Sequence, residues 1–205
     1  MNQSIDEGSI KVMHMDCHAS FDSLSRAHRE GIDYHVTVER RGSGVAIVAP
    51  HGGRIERGTS EVARAIAGDD FDLYLFEGAL PALNFETLHI TSTRFDEPRA
   101  LALIADCDAV LAVHGVADTG ERALLGGRDR ALACAIADRL YARGVLAQTS
   151  GHRYAGLDPR NLCNRGRQGR GVQIELSDRL RGGRYEKAVI DAVRAALHGR
   201  FMTRR

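Results

Sequence analysis

Two short runs without a polar residue constrain this chain more than anything else in it: Val45-Ala46-Ile47-Val48-Ala49 and Ala109-Val110-Leu111-Ala112-Val113. A strand with one wet face alternates apolar and polar residues, so unbroken runs of this length read as strands covered on both faces. Such strands belong to parallel sheets with helices packed on either side. Further strands are predicted at residues 34–38, 73–76, 145–147 and 172–176, with one more at 88–91 near a sheet edge. Helices are predicted at 21–29, 59–67, 96–105, 128–143 and 185–198. Ser20, Thr59 or Ser60, and Asp96 are the expected N-caps, and Pro98 suits a first helical turn. This alternation predicts a single α/β domain over residues 1–205, three layers deep, with a mixed and mainly parallel sheet.

In open α/β sheets, sites form outside the carboxyl ends of the strands. Both apolar runs deliver a histidine followed by glycine there: His51-Gly52 after Pro50, and His114-Gly115. Glu56 follows His51 in the same glycine-rich loop, and Gly52 and Gly53 let that loop curl. Two His and one Glu form a ligand set that zinc hydrolases use, with a fourth position left to water. Such a water needs a base within hydrogen-bond reach. Glu175 is the candidate, because it stands in the otherwise apolar run 172–176. Arg165 beside Asn164 offers a bidentate fork for an anion. From these residues alone, a metal site and a set of turn-capping side chains both stand open.

Composition serves mainly to exclude. A net charge of +1 gives no electrostatic drive toward nucleic acid or an anionic membrane. No apolar run reaches the ~18 residues of a membrane-spanning helix. Residues 1–10 are polar and do not resemble a signal peptide. The four cysteines lack metal-type spacing and read as reduced, mostly buried thiols of a cytoplasmic protein; Cys163 has no base beside it in sequence. With 5% aromatics and no Trp, the chain is poorly equipped as a single-strand stacking platform. Gly126-Gly127 and Gly182-Gly183 read as turns, and nothing in the sequence indicates an oligomeric state.

Three longer motifs carry a resemblance. They are Ala49-Pro50-His51-Gly52-Gly53-x-Ile55-Glu56-x-Gly58-Thr59-Ser60-Glu61, Leu88-His89-Ile90-Thr91-Ser92-Thr93-x-Phe95-Asp96-Glu97-Pro98, and Asn161-x-Cys163-Asn164-Arg165-Gly166-x-x-Gly169-x-Gly171-Val172-Gln173-x-Glu175-Leu176-Ser177. The chain resembles, over about residues 20–198, the poly-γ-glutamate hydrolase family of bacteria and bacteriophages. The resemblance implies a fold related to zinc carboxypeptidases and one zinc ion. It also implies cleavage of γ-glutamyl or related acidic amide bonds by a metal-activated water. His51, Glu56 and His114 match the family's metal ligands, and Glu175 matches its catalytic carboxylate. Asn164 and Arg165 are similar to the carboxylate-binding pair of carboxypeptidases. Arg94 and His89 join them as substrate-binding candidates, and Arg160, Arg167 and Arg170 would suit a polyanion.

There are two departures from the carboxypeptidase pattern. Carboxypeptidases space the first ligands as His-x-x-Glu, and their Asn-Arg pair precedes the last ligand. Here four residues separate His51 from Glu56, and Asn164-Arg165 follows His114. The implied partner is an acidic amide, either a γ-glutamyl polymer or a smaller N-acyl amino acid. Some relatives carry the label of a phage-related replication protein. The competing expectation is therefore a nucleic-acid-binding accessory protein without hydrolase activity, resting on the arginine-rich segment 160–170.

Overall fold

The two apolar runs lie at the middle of the sheet. In the computed structural model, which describes residues 16–202, they belong to neighbouring parallel strands. The reading of residues 1–10 lies outside the described residues. Seven strands follow the order β1-β3-β2-β4-β7-β5-β6. They are β1 (Tyr34–Glu39), β2 (Val45–Gly53), β3 (Asp72–Gly78), β4 (Ala109–Val116), β5 (Arg122–Gly126), β6 (Leu146–Gln148) and β7 (Val172–Ser177). Strands β3, β2, β4 and β7 are parallel to one another; β1 pairs antiparallel with β3, and β5 antiparallel with β7. Short β6 runs parallel to β5 at the far edge.

Alternate side chains of the central strands enter two separate cores. Val45, Ile47, Ala49, Leu111, Val113 and Ile174 pack with α2 (Thr59–Ala67), α5 (Arg130–Tyr141) and α6 (Glu186–Leu197). Ala46, Val48, Val110 and Ala112 pack with α1 (Phe21–Ala27), α3 (Asn84–Leu88) and α4 (Pro98–Ile104) on the other face. This is the three-layer α/β arrangement, and the doubly covered strands explain why the two runs carry no polar residue. Among the described residues, no helix is long and apolar enough to cross a membrane.

Several local expectations give way to tertiary demands. Residues 88–91 form no strand. Helix α3 ends at Leu88, and the groups a ladder would use are taken by side chains. The Thr91 amide donates to Asp16, and the Ile90 carbonyl accepts from His51. Helix α2 is capped by Gly58 in the left-handed region, at φ 87°, and by neither Thr59 nor Ser60. Those two hydroxyls bind the preceding loop instead: Thr59 donates to the Glu56 carbonyl, and Ser60 accepts from the Gly53 amide. Helix α4 is capped by Glu97, whose carboxylate accepts from the Ala100 amide at 2.8 Å; Asp96 accepts from the Phe21 amide of α1 instead. Strand β5 is unexpected, having only three apolar residues; Gly126 closes it, and Gly127 makes the turn. Cys107 and Cys163 are buried, whereas Cys17 and Cys134 are exposed, so only half of these free thiols are interior. Burial pushes the Cys163 thiol up to about 12, which makes it inert as a nucleophile.

Leu111 is fully buried in β4 between neighbouring strands and one helical layer. Leu111→Ala is expected to cost about 2–5 kcal/mol of stability, read as a lower urea midpoint at unchanged slope by circular dichroism.

Candidate metal centre

The site begins with a register fault. Ala49 pairs with Leu75 of β3, but Gly52 pairs with Glu77, so β2 holds one residue more than β3 across that interval. Proline has no amide to give a ladder and is tolerated at such a bulge, which Pro50 occupies. The extra residue shifts the alternation by one. Without it His51 would follow Ile47 and Ala49 into the α2 side. With it, the imidazole comes out on the α4 side, where its ring meets Phe95 at 6.3 Å and His89 at 4.1 Å. His114 continues the Val110–Ala112 series onto that same side, and Glu175 of β7 stands level with it in the parallel register.

Glu56 is returned to His51 by a tight loop. The Glu56 amide donates to the His51 carbonyl at 2.9 Å, and the Ile55 amide to the Gly52 carbonyl at 3.2 Å. Gly53 takes a φ of 62°, whereas Gly52 is needed for space, since a Cβ there would sit 2.2 Å from Ser60 Oγ. The loop thus delivers a carboxylate over a longer spacing than His-x-x-Glu. Glu56 Oε1 lies 3.2 Å from His51 Nδ1, and Oε2 lies 3.8 Å from His114 Nδ1. The two Nδ1 atoms are 3.2 Å apart, and one ligand atom from each of the three residues falls within a 4.8 Å span.

This set fits a divalent metal ion. His51 Nε2 donates to the Ile90 carbonyl at 2.9 Å, and that bond leaves Nδ1 as the lone pair of the neutral ring. His114 Nε2 approaches Ser92 Oγ at 3.4 Å and likewise turns Nδ1 inward. Two buried nitrogen donors converging with a carboxylate form a cavity of lone pairs that a cation relieves. The electrostatics agree. Burial opposes charge on Glu56, yet His51, His114 and the Gly115 amide hold its carboxyl down at about 2. Burial, aided by His51 and His89, lowers His114 to about 3 against the pull of Glu56. Burial also opposes charge on His51, but the Glu56 carboxylate and the Ile90 carbonyl outweigh it and raise its pKa.

One arginine, with its side chain only 6% exposed, clamps both segments that carry candidate ligands. Arg181, just beyond β7, donates to the carbonyls of Arg57 and Val116 and to the Asp178 carboxylate. Its guanidinium covers Gly115, where a Cβ would meet Nη1 at 2.2 Å.

The three candidate ligands and Glu175 line one cavity of about 540 Å3. Glu175 is only 6% exposed. Burial, and then the charge of Glu56, push its pKa well above the carboxylate range, while Arg153 and Arg181 pull the other way. Gln173 Nε2 donates to Glu175 Oε1 at 3.3 Å, and Asn161 Nδ2 donates to Gln173 Oε1 at 2.7 Å.

The profile of the poly-γ-glutamate hydrolase family matches residues 18–201. The chain belongs to the poly-γ-glutamate hydrolase family. A solved bacteriophage poly-γ-glutamate hydrolase superposes with a TM-score of 0.86 at 29% identity, covering 92% of this chain and 100% of that one. A structure of YndL described as zinc-free superposes with a TM-score of 0.80 at 34% identity, covering 93% and 98%. In sequence, the UPF0714 protein YndL of Bacillus subtilis (strain 168) is 39% identical over 168 residues. That match covers 81% of this chain, which spans 66% of the relative's length. The architecture shared with these structures is the zinc-carboxypeptidase-like α/β fold that the resemblance implied.

For this member of the poly-γ-glutamate hydrolase family, not every substrate-binding candidate from the sequence reaches the cleft. His89 lines it, with Nδ1 held by Asp16 at 2.7 Å. Asn164 does not line it: its side chain is buried, donating to the carbonyls of Gly156 and Asp158 and accepting from the Arg128 and Gly171 amides. Arg165 also turns away, donating to the Phe95 carbonyl at 3.0 Å, and Arg94 is absent from the lining because its guanidinium pairs with Asp16. Arg160 and Arg167 pair with Asp158 and Asp108, so two of the four arginines of the segment 160–170 are neutralised in place. Sequence reasoning missed Gln173, Asn161, Asp16, Arg153 and Arg181. Two of them had a signal: Asn161 and Gln173 stand in the third motif, and Gln173, Glu175 and Ser177 form a period-2 polar face in β7.

Arg181→Met is expected to weaken metal affinity on the order of tenfold or more, measured by competition with a chelator; unchanged affinity would remove Arg181 from this clamp. Proton release provides a second check. Because the His51 pKa is raised, its ring carries a proton at pH 6 that a metal must displace, whereas Glu56 and His114 have none to give. Calorimetry in buffers of different ionisation enthalpy should find about one proton released per ion at pH 6, falling away as pH rises above the His51 pKa.

Proposed function

We propose that this chain is a zinc-dependent amidohydrolase that cleaves γ-glutamyl or related acidic amide bonds with an activated water. The observation that carries the reading is the convergence of His51, Glu56 and His114 on the wall that also holds buried Glu175. Family membership, the bacteriophage relative named a poly-γ-glutamate hydrolase, and the YndL structure described as zinc-free lend support. Zinc held by the two histidines and Glu56 would supply Lewis acidity, polarising the scissile carbonyl and lowering the pKa of a bound water to about 7.

The remaining work falls to the chain's own groups. Glu175 takes the proton of the water and returns it to the leaving amine. A carboxyl whose pKa lies well above the ordinary range is suited to both transfers. Gln173 and Asn161 hold that carboxyl in place. His89 is lowered to about 4 by burial and by neighbouring His51, so its ring is neutral. With Nδ1–H committed to Asp16, its Nε2 is an acceptor for a substrate amide N–H.

Incubating the zinc-loaded protein with poly-γ-glutamate, γ-glutamyl dipeptides and N-acyl glutamates should release amine from at least one of these, and a chelator should abolish the release. No release from any of them would overturn the reading. Glu175→Gln should retain zinc and lose about 10²–10⁴-fold in turnover; undiminished turnover would exclude Glu175 as the base.

A further inference from the structure

A γ-linked glutamyl chain leaves one α-carboxylate free on every residue. The cleft that would receive it already holds the carboxyl groups of Glu56, Glu175 and Asp158. Bringing another carboxylate beside them requires a cation that those groups have not already engaged. Among the described residues, Arg153 is the only Arg or Lys lining the cleft.

The neighbouring arginines are spent on other carboxylates: Arg94 on Asp16, Arg122 on Asp118, Arg160 on Asp158 and Arg181 on Asp178. Arg153 is different. Its guanidinium lies 4.8 Å over the Tyr154 ring, and Nη2 donates to the Tyr154 hydroxyl at 2.5 Å. No carboxylate of the described residues stands within ion-pair distance of it. An aromatic face and a neutral hydroxyl steady the fork without neutralising it, which leaves donors for a bidentate anion. Arg153 also stands where two cavities meet. It lines the metal cleft and an adjoining cavity of about 660 Å3, together with Val116, Ala117 and Tyr154. A chain lying across the metal centre and continuing into the second cavity passes this guanidinium.

We propose that Arg153 is the specificity-determining residue that binds the free α-carboxylate of the residue flanking the scissile bond, so that the site selects γ-linked acidic chains over their neutral counterparts. This inference rests on the hydrolase reading for the meaning of the scissile bond, but its binding test does not require turnover.

The probes are tri-γ-glutamate and the same peptide with its α-carboxylates converted to carboxamides. Binding to the zinc-loaded protein is measured by calorimetry, and turnover by amine release. Zinc content is measured alongside in the wild type, R153Q and R153K, and an R153Q protein matching the wild type in zinc content and unfolding midpoint makes the comparison valid. The wild type should prefer the acid over the amide about tenfold or more, as expected for a charge-assisted pair. R153Q should bring that ratio close to one, chiefly through KM. R153K, which keeps the charge but loses the fork, should fall between. An R153Q ratio equal to the wild-type ratio overturns the inference, whatever the turnover. If the wild type binds the acid in an Arg153-dependent way but cleaves nothing, the hydrolase reading falls and the carboxylate subsite stands. If it cleaves both probes and R153Q leaves their ratio unchanged, the subsite falls and the hydrolase reading stands.

Discussion

The surplus residue between Ala49 and Gly52 decides which face of the sheet receives His51, and the site depends on that choice. A strand imposes strict alternation, so a histidine two residues beyond Ala49 belongs by count to the α2 core. A single bulge reverses the assignment, placing His51, His114 and Glu175 on one side, where Phe85 of α3, the segment between α3 and α4, and the loop before β7 complete the cleft. The bulge also ends regular pairing, which frees the chain to turn through Gly52 and Gly53 and bring Glu56 back. One departure from ideal geometry therefore sets both the direction of the first histidine and the reach of the carboxylate that joins it.

Around this fault the protein concentrates buried charge in a way that is costly unless it is paired. Glu56 is satisfied by two imidazoles and the Gly115 amide. Glu175 receives a single neutral donor, Gln173, and burial, followed by the charge of Glu56, raises its proton affinity. Two glutamates on one wall thus have opposite tendencies, one firmly ionised and the other inclined to keep a proton. That separation suits Glu56 to the ligand role and Glu175 to the proton-handling role proposed for them.

Much of this was legible in the sequence, and the exceptions have physical causes. The two apolar runs announced doubly covered parallel strands, and the His-Gly pairs at their ends placed two candidate ligands correctly relative to the fold. Pro50 inside a central strand was the available sign of the bulge. Residues 88–91 looked like a strand because apolar Leu88 and Ile90 alternate with polar His89 and Thr91, but their backbone groups are engaged by Asp16 and His51, partners distant in sequence. Asn164 and Arg165 were attractive as a polar pair, yet a buried asparagine surrounded by loop carbonyls and amides satisfies backbone before anything else. Gln173 was overlooked because the run 172–176 read as apolar with one exception, when it alternates with period two. Arg153 and Arg181 lie in irregular segments, where spacing carries no directional information.

The clamp made by Arg181 has a consequence for the order in which the molecule becomes competent. The guanidinium that fastens the Glu56–Arg57 turn and the end of β4 lies 124 residues beyond Arg57. During synthesis all three candidate ligands emerge from the ribosome long before this residue does. The fastening of the Glu56–Arg57 turn to the end of β4 is therefore complete only once the segment after β7 is in place.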